Sequence, residues 1–244
     1  MLKMHLSGKK NDFKGYTLLE GFPGYGLVGT IAVNFLVEKL NMEMIGFIES
    51  PLFPPVAAIH EGRPYPPLRL YKSDKHKLVV ILSEFVMDRK VIKSVSDMVY
   101  DWCEDAGIKR IISLGGISIR GKQDEVFCIS SDPNEAKLFE KMGITPIREG
   151  ATTGMNALLL IRATTGGKIP VVSLLAEAKP DYVDPLGAAM VLTSLSDYIG
   201  LKVDTTELVR EAMVIESKLR QAMEAAKKAE KEYAPAAGHE PMYA

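Results

Sequence analysis

The feature that most constrains the fold is a regular alternation, between residues 16 and 201, of short apolar runs and longer helical segments. The runs YTLLEGF and KLVVILSEF are typical of strands, and LVGTIAVNFLVEKL is long enough for a helix. Strands that alternate with helices indicate a layered α/β fold with a mainly parallel sheet. The central runs are almost continuously apolar, as expected when helices cover both faces of a sheet.

Local signals predict where several helices begin and end. Asp88 precedes the segment RKVIKSVSDMVYDWCEDAG and can cap its first turn, and Gly107 provides the stop at its end. Asp132 and Asp184 are each followed by proline, an arrangement typical of an N-cap residue before the first helical turn. These carboxylates therefore have a structural explanation and are poor candidates for catalysis.

A proline-rich segment interrupts the alternation. It reads PLFPPVAAIHEGRPYPPLRLY and holds six prolines around two short β-like pieces. Because proline has no backbone donor, we expect this segment to be an edge hairpin or an excursion rather than part of the central sheet.

The composition is that of an ordinary globular protein. The chain has 244 residues, of which 47% are hydrophobic and 25% are charged, and its formal net charge is −1. This length allows one large domain or two modest ones with a sizeable core. The near-neutral charge creates no overall field that would attract nucleic acid or an anionic membrane, so we expect neither as a partner.

Cysteine usage and hydropathy bear on the cell compartment. Cys103 and Cys128 do not have metal-binding spacing, and we expect two free buried thiols, with one disulfide between them as the alternative. The segment MLKMHLSGKK lacks the apolar stretch of a signal peptide, and no run reaches the ~18 apolar residues of a membrane span. The sequence therefore predicts a cytoplasmic protein.

A glycine motif is the strongest indication of an enzyme. Gly24, Gly26 and Gly29 form G-x-G-x-x-G between a strand and a helix, and Glu49 ends the next strand. In a dinucleotide-binding enzyme the glycines admit a pyrophosphate and the acidic residue holds a ribose hydroxyl. The structural interpretation is a tight turn whose glycines permit positive φ and close packing. A nucleotide-binding or nucleoside-processing α/β enzyme that uses the Gly24–Gly29 loop is therefore the alternative function.

Other catalytic signals are weak. The histidines are scattered, and none has the partners of a metal site; they are His5, His60, His76 and His239. Neither G-x-S-x-G nor a P-loop is present. The loops LGGIS, with Gly115 and Gly116, and GATTGMN, with Gly150 and Gly154, could cradle an anion at helix starts, but ordinary turns have the same composition. The sequence predicts no catalytic residue, no cofactor and no metal.

The segment after residue 203 predicts a long helix. Asp204 can cap it, with Glu207 three residues later. Apolar or small residues then recur at alternating spacings of four and three, at Leu208, Ala212, Ile215, Leu219, Ala222, Ala226 and Ala229. From Thr205 to Tyr233, at about 1.5 Å per residue, this helix is ~43 Å long, which is more than a small domain needs. We expect it to dock at its base and project at its tip, or to bundle with copies of itself; a terminal helix that lies across its own domain is the alternative.

Four segments occur in an order that identifies a family. They are FPGYGLVGTIA, PLFPPVAAIHEGRPYPPLRLY, LGGISI and PLGAAMVLTSLSDYIGLKVDTTEL. Their order resembles the proteasome-assembly chaperone family (PAC2-type) in its archaeal branch. The resemblance implies a three-layer α/β/α domain similar to the nucleoside phosphorylase-like fold but without its activity, plus the long C-terminal helix. It also implies that the glycine turn is part of the fold.

The resemblance and the helix pattern together predict a division of the chain. We expect a chaperone-like α/β/α domain at residues 1–203, a projecting helix at 204–233 and a flexible tail at 234–244. The family works without ATP as a homo-oligomer, and the resemblance favours four or five subunits.

The last residues add a candidate binding element. Proteasome activators end in a hydrophobic residue, a tyrosine and a final residue of any type, which enter pockets between α-subunits of the core particle. Met242, Tyr243 and Ala244 match these positions. The resemblance thus implies a proteasome-assembly chaperone or ATP-independent proteasome activator that binds the 20S α-ring through its C-terminus. Its implied partners are 20S proteasome α-subunits, copies of itself and a related sister subunit, with the tail either exposed or packed within the oligomer.

Overall fold

A β-sheet with helices on both faces makes up the part of the chain that the computed structural model describes. The described residues are 1–7, 10–119, 125–178 and 183–210, with the single residues 214, 221 and 224. The strands are β1 Lys3–Leu6, β2 Thr17–Gly21, β3 Glu43–Glu49, β4 Ala58–His60, β5 Arg63–Tyr65, β6 Leu68–Ser73, β7 Leu78–Ser83, β8 Arg110–Ile117, β9 Val126–Ser130, β10 Thr145–Pro146 and β11 Val171–Glu177. The helices are α1 Val28–Lys39, α2 Arg89–Ala106, α3 Pro133–Lys141, α4 Gly154–Thr164, α5 Pro185–Ile199 and α6 Thr206–Arg210, with short 3-10 helices at Lys10–Phe13 and Tyr25–Leu27.

The main sheet is mixed. Within the described residues its nine strands lie in the order β1-β3-β6-β7-β2-β8-β11-β9-β10. The central strands β7, β2, β8 and β11 are parallel, whereas β1, β3 and β6 on one side and β9 on the other make antiparallel pairs. The prediction of a mainly parallel sheet is therefore wrong for these outer strands. Residues 74–77 join β6 to β7, and so short a connection permits antiparallel pairing but no crossover to a parallel strand.

Helices bury both faces of this sheet in two cores. α1 and α5 pack on one face, and α2 and α4 pack on the other. Because successive strand residues point to opposite faces, Leu18 enters the core beneath α2 while Leu19 enters the core beneath α1. Both leucines are fully buried. The predicted three-layer α/β/α architecture is confirmed.

The predicted capping residues set the helix boundaries. The Asp88 carboxylate accepts a hydrogen bond of 2.7 Å from an amide in the first turn of α2, and Gly107 follows this helix in the left-handed conformation at φ 72°. Asp132 and Asp184 each accept a hydrogen bond of 2.8 Å from an amide at the start of α3 and α5. The structural interpretation of these carboxylates is confirmed.

The proline-rich segment forms a hairpin outside the main sheet. β4 and β5 pair with each other in a separate two-stranded sheet. The same sequence segment also contains the start of β6, which lies between β3 and β7 inside the main sheet, so the prediction of an edge position is wrong for residues 68–71. Proline cannot donate to a β-ladder, but β6 begins directly after Pro67 and contains no proline.

The buried side chain of Arg69 joins this hairpin to the sheet. It is 1% exposed, and its guanidinium lies 3.0 Å from the Glu84 carboxylate and 3.1 Å from His60 Nε2. It also donates to the Pro66 carbonyl at 2.7 Å. Burial raises the pKa of Glu84, but the hydrogen bonds from His60 and Arg69 outweigh it and hold that pKa below its ordinary value. The ion pair thus ties β4, β6 and the end of β7 together.

Candidate functional site

The glycine turn between β2 and α1 is packed tightly against its neighbours. Gly26 has φ +63°, in the left-handed region that favours glycine. A Cβ atom on Gly29 would lie 2.1 Å from the Leu114 carbonyl oxygen of β8. In addition, the Asp184 amide donates to the Gly26 carbonyl at 2.8 Å, which fixes the turn to the start of α5. The glycines therefore permit close helix-to-sheet packing.

The acidic residue that a dinucleotide site requires is in the wrong place. Glu49 ends β3, which lies three strands from β2 in the sheet order. At about 4.8 Å per strand the separation is roughly 14 Å. Its carboxylate lies 3.0 Å from His5 Nε2 instead. Because β6 and β7 are inserted between β3 and β2, Glu49 is not on the strand beside the turn, as a dinucleotide-binding fold would require.

A cavity of about 660 Å³ lies at the carboxyl ends of β2, β8 and β11. This is the edge at which open α/β sheets bind ligands. The structure brings together here the Gly24–Gly26 turn, the Gly115–Gly116 pair and the loop before α4. The glycine pair lies within β8, so its prediction as the start of a helix is wrong, whereas Gly154 does begin α4. The three glycine-containing segments thus share one cavity.

A buried carboxyl group lies in this cavity. Glu20 is 2% exposed, and its Oε1 accepts a hydrogen bond of 2.8 Å from the Phe22 amide. Its Oε2 accepts a second one from the Ser113 hydroxyl. Burial raises the pKa of Glu20 to about 7, although both hydrogen bonds lower it. Near neutral pH the group therefore exists in both its protonated and its ionised form.

Hydrogen bonds among three polar side chains fix one wall of the cavity. The Ser173 hydroxyl donates to the side-chain oxygen of Asn156, and the side-chain nitrogen of Asn156 donates to Thr152 Oγ1 at 2.9 Å. Asn156 lies in the first turn of α4, so these bonds hold the start of that helix against β11. The arrangement gives the cavity preorganised walls.

Sequence reasoning missed Glu20, Ser113, Ser173 and Asn156. The first three are polar residues inside apolar strands, and they occupy the same register on β2, β8 and β11. The polar interruptions are visible in the sequence, but their alignment depends on the strand order. Only a correct sheet topology would have predicted one row of polar side chains.

The surroundings of the two cysteines and of His60 do not form a catalytic or metal site. Cys103 and Cys128 are free and buried, and burial raises the pKa of both thiols, to about 11 for Cys128, which disfavours a reactive thiolate. The prediction of free thiols agrees with this finding. His60 contacts Glu84 rather than a nucleophile, and His239 lies outside the described residues. In the part of the chain that the structure describes, no three metal-binding side chains are grouped.

The base of the predicted C-terminal helix is anchored on the domain. Asp204 accepts a hydrogen bond of 2.9 Å from the Thr206 amide, Glu207 pairs with Lys39, and Leu208 is 1% exposed within the core. Apart from α6 and the residues 214, 221 and 224, the predicted helix at 204–233 lies outside the described residues.

The predicted tail at 234–244 also lies outside the described residues, and so do Met242, Tyr243 and Ala244. No helix in the ranges that the structure covers is long and apolar enough to cross a bilayer.

The sequence and the fold together agree with one family of proteins. The sequence profile of the PAC2 family matches residues 18–223, which is most of the chain. The chain belongs to the PAC2 family. The match includes the glycine turn, the proline-rich hairpin and the three strands that border the cavity.

Three relatives show how far the similarity of this PAC2 protein extends. The crystal structure of Pyrococcus furiosus PbaA, an archaeal homolog of proteasome-assembly chaperone, is 30% identical with a TM-score of 0.84, over 96% of this chain and 100% of that one. An uncharacterised protein of Methanocaldococcus jannaschii is 32% identical over 217 residues, 88% of either chain. Proteasome assembly chaperone 2 of Danio rerio is 23% identical over 152 residues, 54% of this chain and 57% of its own. The predicted resemblance to the archaeal proteasome-assembly chaperones is confirmed.

We expect NAD, NADP and ATP to give no thermal shift and no calorimetric heat with this PAC2 protein. The reason is that Gly29 is in contact with β8 and Glu49 is far from the turn. Purine nucleosides with phosphate, tested in the same assay, address the nucleoside-processing alternative. Micromolar binding of any of these compounds would contradict the expectation and restore an enzyme that uses the Gly24–Gly29 loop.

Proposed function

We propose that this PAC2 protein is a proteasome-assembly chaperone or an ATP-independent proteasome activator. It binds the α-ring of the 20S core particle through Met242, Tyr243 and Ala244, and it has no catalytic activity and no cofactor. The observation that carries the proposal is PAC2 membership over residues 18–223 in a chain whose last three residues are Met, Tyr and Ala. The relative PbaA, an archaeal homolog of proteasome-assembly chaperone, supports it.

The chemistry of the last three residues suits end capture. Tyr243 can bury its ring while its hydroxyl finds a polar partner. With Ala244 as the carboxyl end, the terminal carboxylate can pair with a lysine or with backbone donors of a pocket. Met242 supplies a flexible apolar contact. The experiment that tests this is co-sedimentation with purified 20S core particles, with variants of the tail as described in the Discussion.

Several tails must act together for such binding to be strong. A three-residue element binds weakly, but tails on one oligomer share a high effective concentration once the first has docked. The anchoring of α6 through Leu208 supports this, because each tail then starts from a fixed point on its subunit. The proposed partners are therefore 20S α-subunits and further copies of this chain, with a sister subunit as an additional candidate, and the proposed location is the cytoplasm.

Exposed apolar side chains support self-association through the α/β domain. Three of them directly follow the carboxyl ends of strands, namely Tyr25 after β2, Leu52 after β3 and Val86 after β7, whereas Ile59 lies in β4 of the hairpin and Leu186 in the first turn of α5. β2, β3 and β7 run in the same direction, so Tyr25, Leu52 and Val86 follow strands that end at one edge of the sheet. Exposed apolar patches of this kind mark interaction surfaces.

Light scattering at tens of micromolar is expected to give several times the subunit mass of 26.8 kDa. Replacing Ile59 or Val86 by aspartate should shift the mass towards the monomer, because each places a charge on the proposed interface. The matched control for Val86→Asp is Ile161→Asp, because Ile161 is 56% exposed against 55% for Val86 but lies on α4. If the parent protein is a monomer, the proposal that several tails of one oligomer bind the core particle together is wrong.

A further inference from the structure

The cavity at the carboxyl ends of β2, β8 and β11 shares Tyr25 and Val86 with the proposed self-association surface, but the proposed function gives its interior no ligand. It combines a buried carboxyl group with apolar and aromatic walls. We propose that this cavity binds a small organic amine, whose ammonium group pairs with Glu20 and whose alkyl chain lies against the apolar walls.

The charge of the cavity favours a cation. Its charged side chains are Glu20 and Glu224, and no lysine, arginine or histidine of the described residues lines it. Burying a carboxylate without a cationic partner is costly, so a ligand that supplies a positive charge is stabilised there. An anionic ligand would instead meet carboxylates and is disfavoured.

Glu20 has the hydrogen-bonding capacity for this role. Each of its oxygens accepts one bond from the protein, from the Phe22 amide and from the Ser113 hydroxyl. A carboxylate oxygen has two lone-pair positions, so each oxygen retains one, and an alkylammonium group has three donors. The two protein donors also fix the carboxylate, which lowers the entropy that ligand binding must remove.

The remaining walls suit an alkylammonium ion. Leu27 and Leu175 line the cavity and can cover an alkyl chain. Phe22 and Tyr25 also line it, and the faces of aromatic rings attract cations. Neither contact would favour a strongly hydrated inorganic ion, which makes no use of apolar walls.

The size of the cavity fits a small molecule. About 660 Å³ lies within the roughly 300–1,000 Å³ that is typical of small-molecule sites. Glu224 also lines the cavity, so ligands with one and with several ammonium groups are compared. Suitable probes are n-butylamine, 1,4-diaminobutane and spermidine, with butan-1-ol as the uncharged analogue.

Binding is expected to weaken as the pH falls. Burial raises the pKa of Glu20 to about 7, and the other titratable side chains that line the cavity are Tyr25 and Glu224. Between pH 8 and pH 5.5 the ionised fraction of such a carboxyl group falls about 30-fold, and the affinity falls with it. A simple alkylamine resembles a lysine side chain and stays protonated over this range.

Isothermal titration calorimetry on the full chain tests the proposal. At pH 8 we expect the amines to bind and butan-1-ol to give no heat, and we expect affinity for n-butylamine to fall about 30-fold at pH 5.5. Glu20→Gln should reduce the affinity at least tenfold without lowering the melting temperature, because the glutamine oxygen can accept from the Phe22 amide while its NH2 group donates to the Ser113 hydroxyl, and glutamine carries no buried charge. The matched control Glu49→Gln removes an exposed carboxylate three strands away and should leave the affinity unchanged.

A second variant keeps the test valid if Glu20→Gln misfolds. Ala151 is exposed and lines the cavity, so Ala151→Trp should narrow the cavity and reduce amine binding while the fold is retained. Three results would each overturn the proposal: no amine binds at millimolar concentration, butan-1-ol binds as well as n-butylamine, or folded Glu20→Gln binds amines as the parent does. Co-sedimentation with the 20S particle is a separate readout, so failure here leaves the proposed function standing.

Discussion

Deleting Met242, Tyr243 and Ala244 is expected to abolish co-sedimentation of this protein with the 20S core particle. The mass of the oligomer and its melting temperature should stay unchanged, because the proposed tail contacts the partner rather than its own domain. Tyr243→Ala should have the same effect, since it removes the aromatic anchor. Adding one glycine after Ala244 should also abolish binding, because it moves the terminal carboxylate by ~3.5 Å relative to the tyrosine.

Met242→Leu is the matched control for these variants. It keeps a hydrophobic residue at the same position and should bind as the parent does. If the truncated protein binds as well as the intact one, the tail proposal is wrong and the contact must come from the α/β surface.

Melting temperature measured beside binding separates an exposed tail from a packed one. If the tail is packed against its own oligomer, the intact protein binds the core particle weakly and truncation lowers the melting temperature. An exposed tail gives strong binding by the intact protein and no change in stability on truncation. The first pattern contradicts the exposed tail, and the second contradicts the packed one.

Gly29→Ala is expected to destabilise the protein by about 3 kcal/mol, at the upper end for an overpacked site. In an ordinary helix this change would stabilise by roughly 1 kcal/mol, because glycine is a poor helix former. Here the new Cβ atom would lie 2.1 Å from the Leu114 carbonyl oxygen, and backbone cannot yield as a flexible side chain does. Urea denaturation followed by circular dichroism measures the difference.

Gly24→Ala is the matched control within the same motif. Gly24 has extended backbone at φ −154°, and the nearest atom to its added Cβ is 4.0 Å away. Its free energy of unfolding should therefore change by about 0.5 kcal/mol or less. If both variants are as stable as the parent, α1 does not approach β8 as closely as the structure shows, and the structural account of the motif fails.

The sequence was sufficient to predict features that depend on residues close together in the chain. Asp88 and Gly107 define α2 through bonds within a single turn, so their identity was sufficient to predict them. The alternation of apolar runs and helices predicted the layers, because both faces of the central strands are buried. The four quoted segments predicted the family, which the match over residues 18–223 confirms.

The sequence did not predict features that depend on the order of the strands in the sheet. The prolines of the segment before β6 suggest an edge strand, but the last of them, Pro67, precedes the first residue of β6. The sequence therefore did not predict that β6 lies inside the sheet. The spacing from the glycine motif makes Glu49 a plausible ribose ligand, but β6 and β7 lie between β3 and β2. Spacing along the chain could not exclude it, because separation in a sheet depends on which strands are inserted.

The sequence by itself determined the α/β layering, the helix caps, the glycine turn and membership of the family, because each arises from short-range pattern or from motif order. The tertiary structure alone decided that Glu20, Ser113 and Ser173 form one row and that Glu20 lies in a cavity. Those residues are far apart in the chain and become neighbours through the pairing of β2, β8 and β11. The raised pKa of Glu20 follows from the same pairing, because the surrounding strands and helices remove its carboxyl group from water.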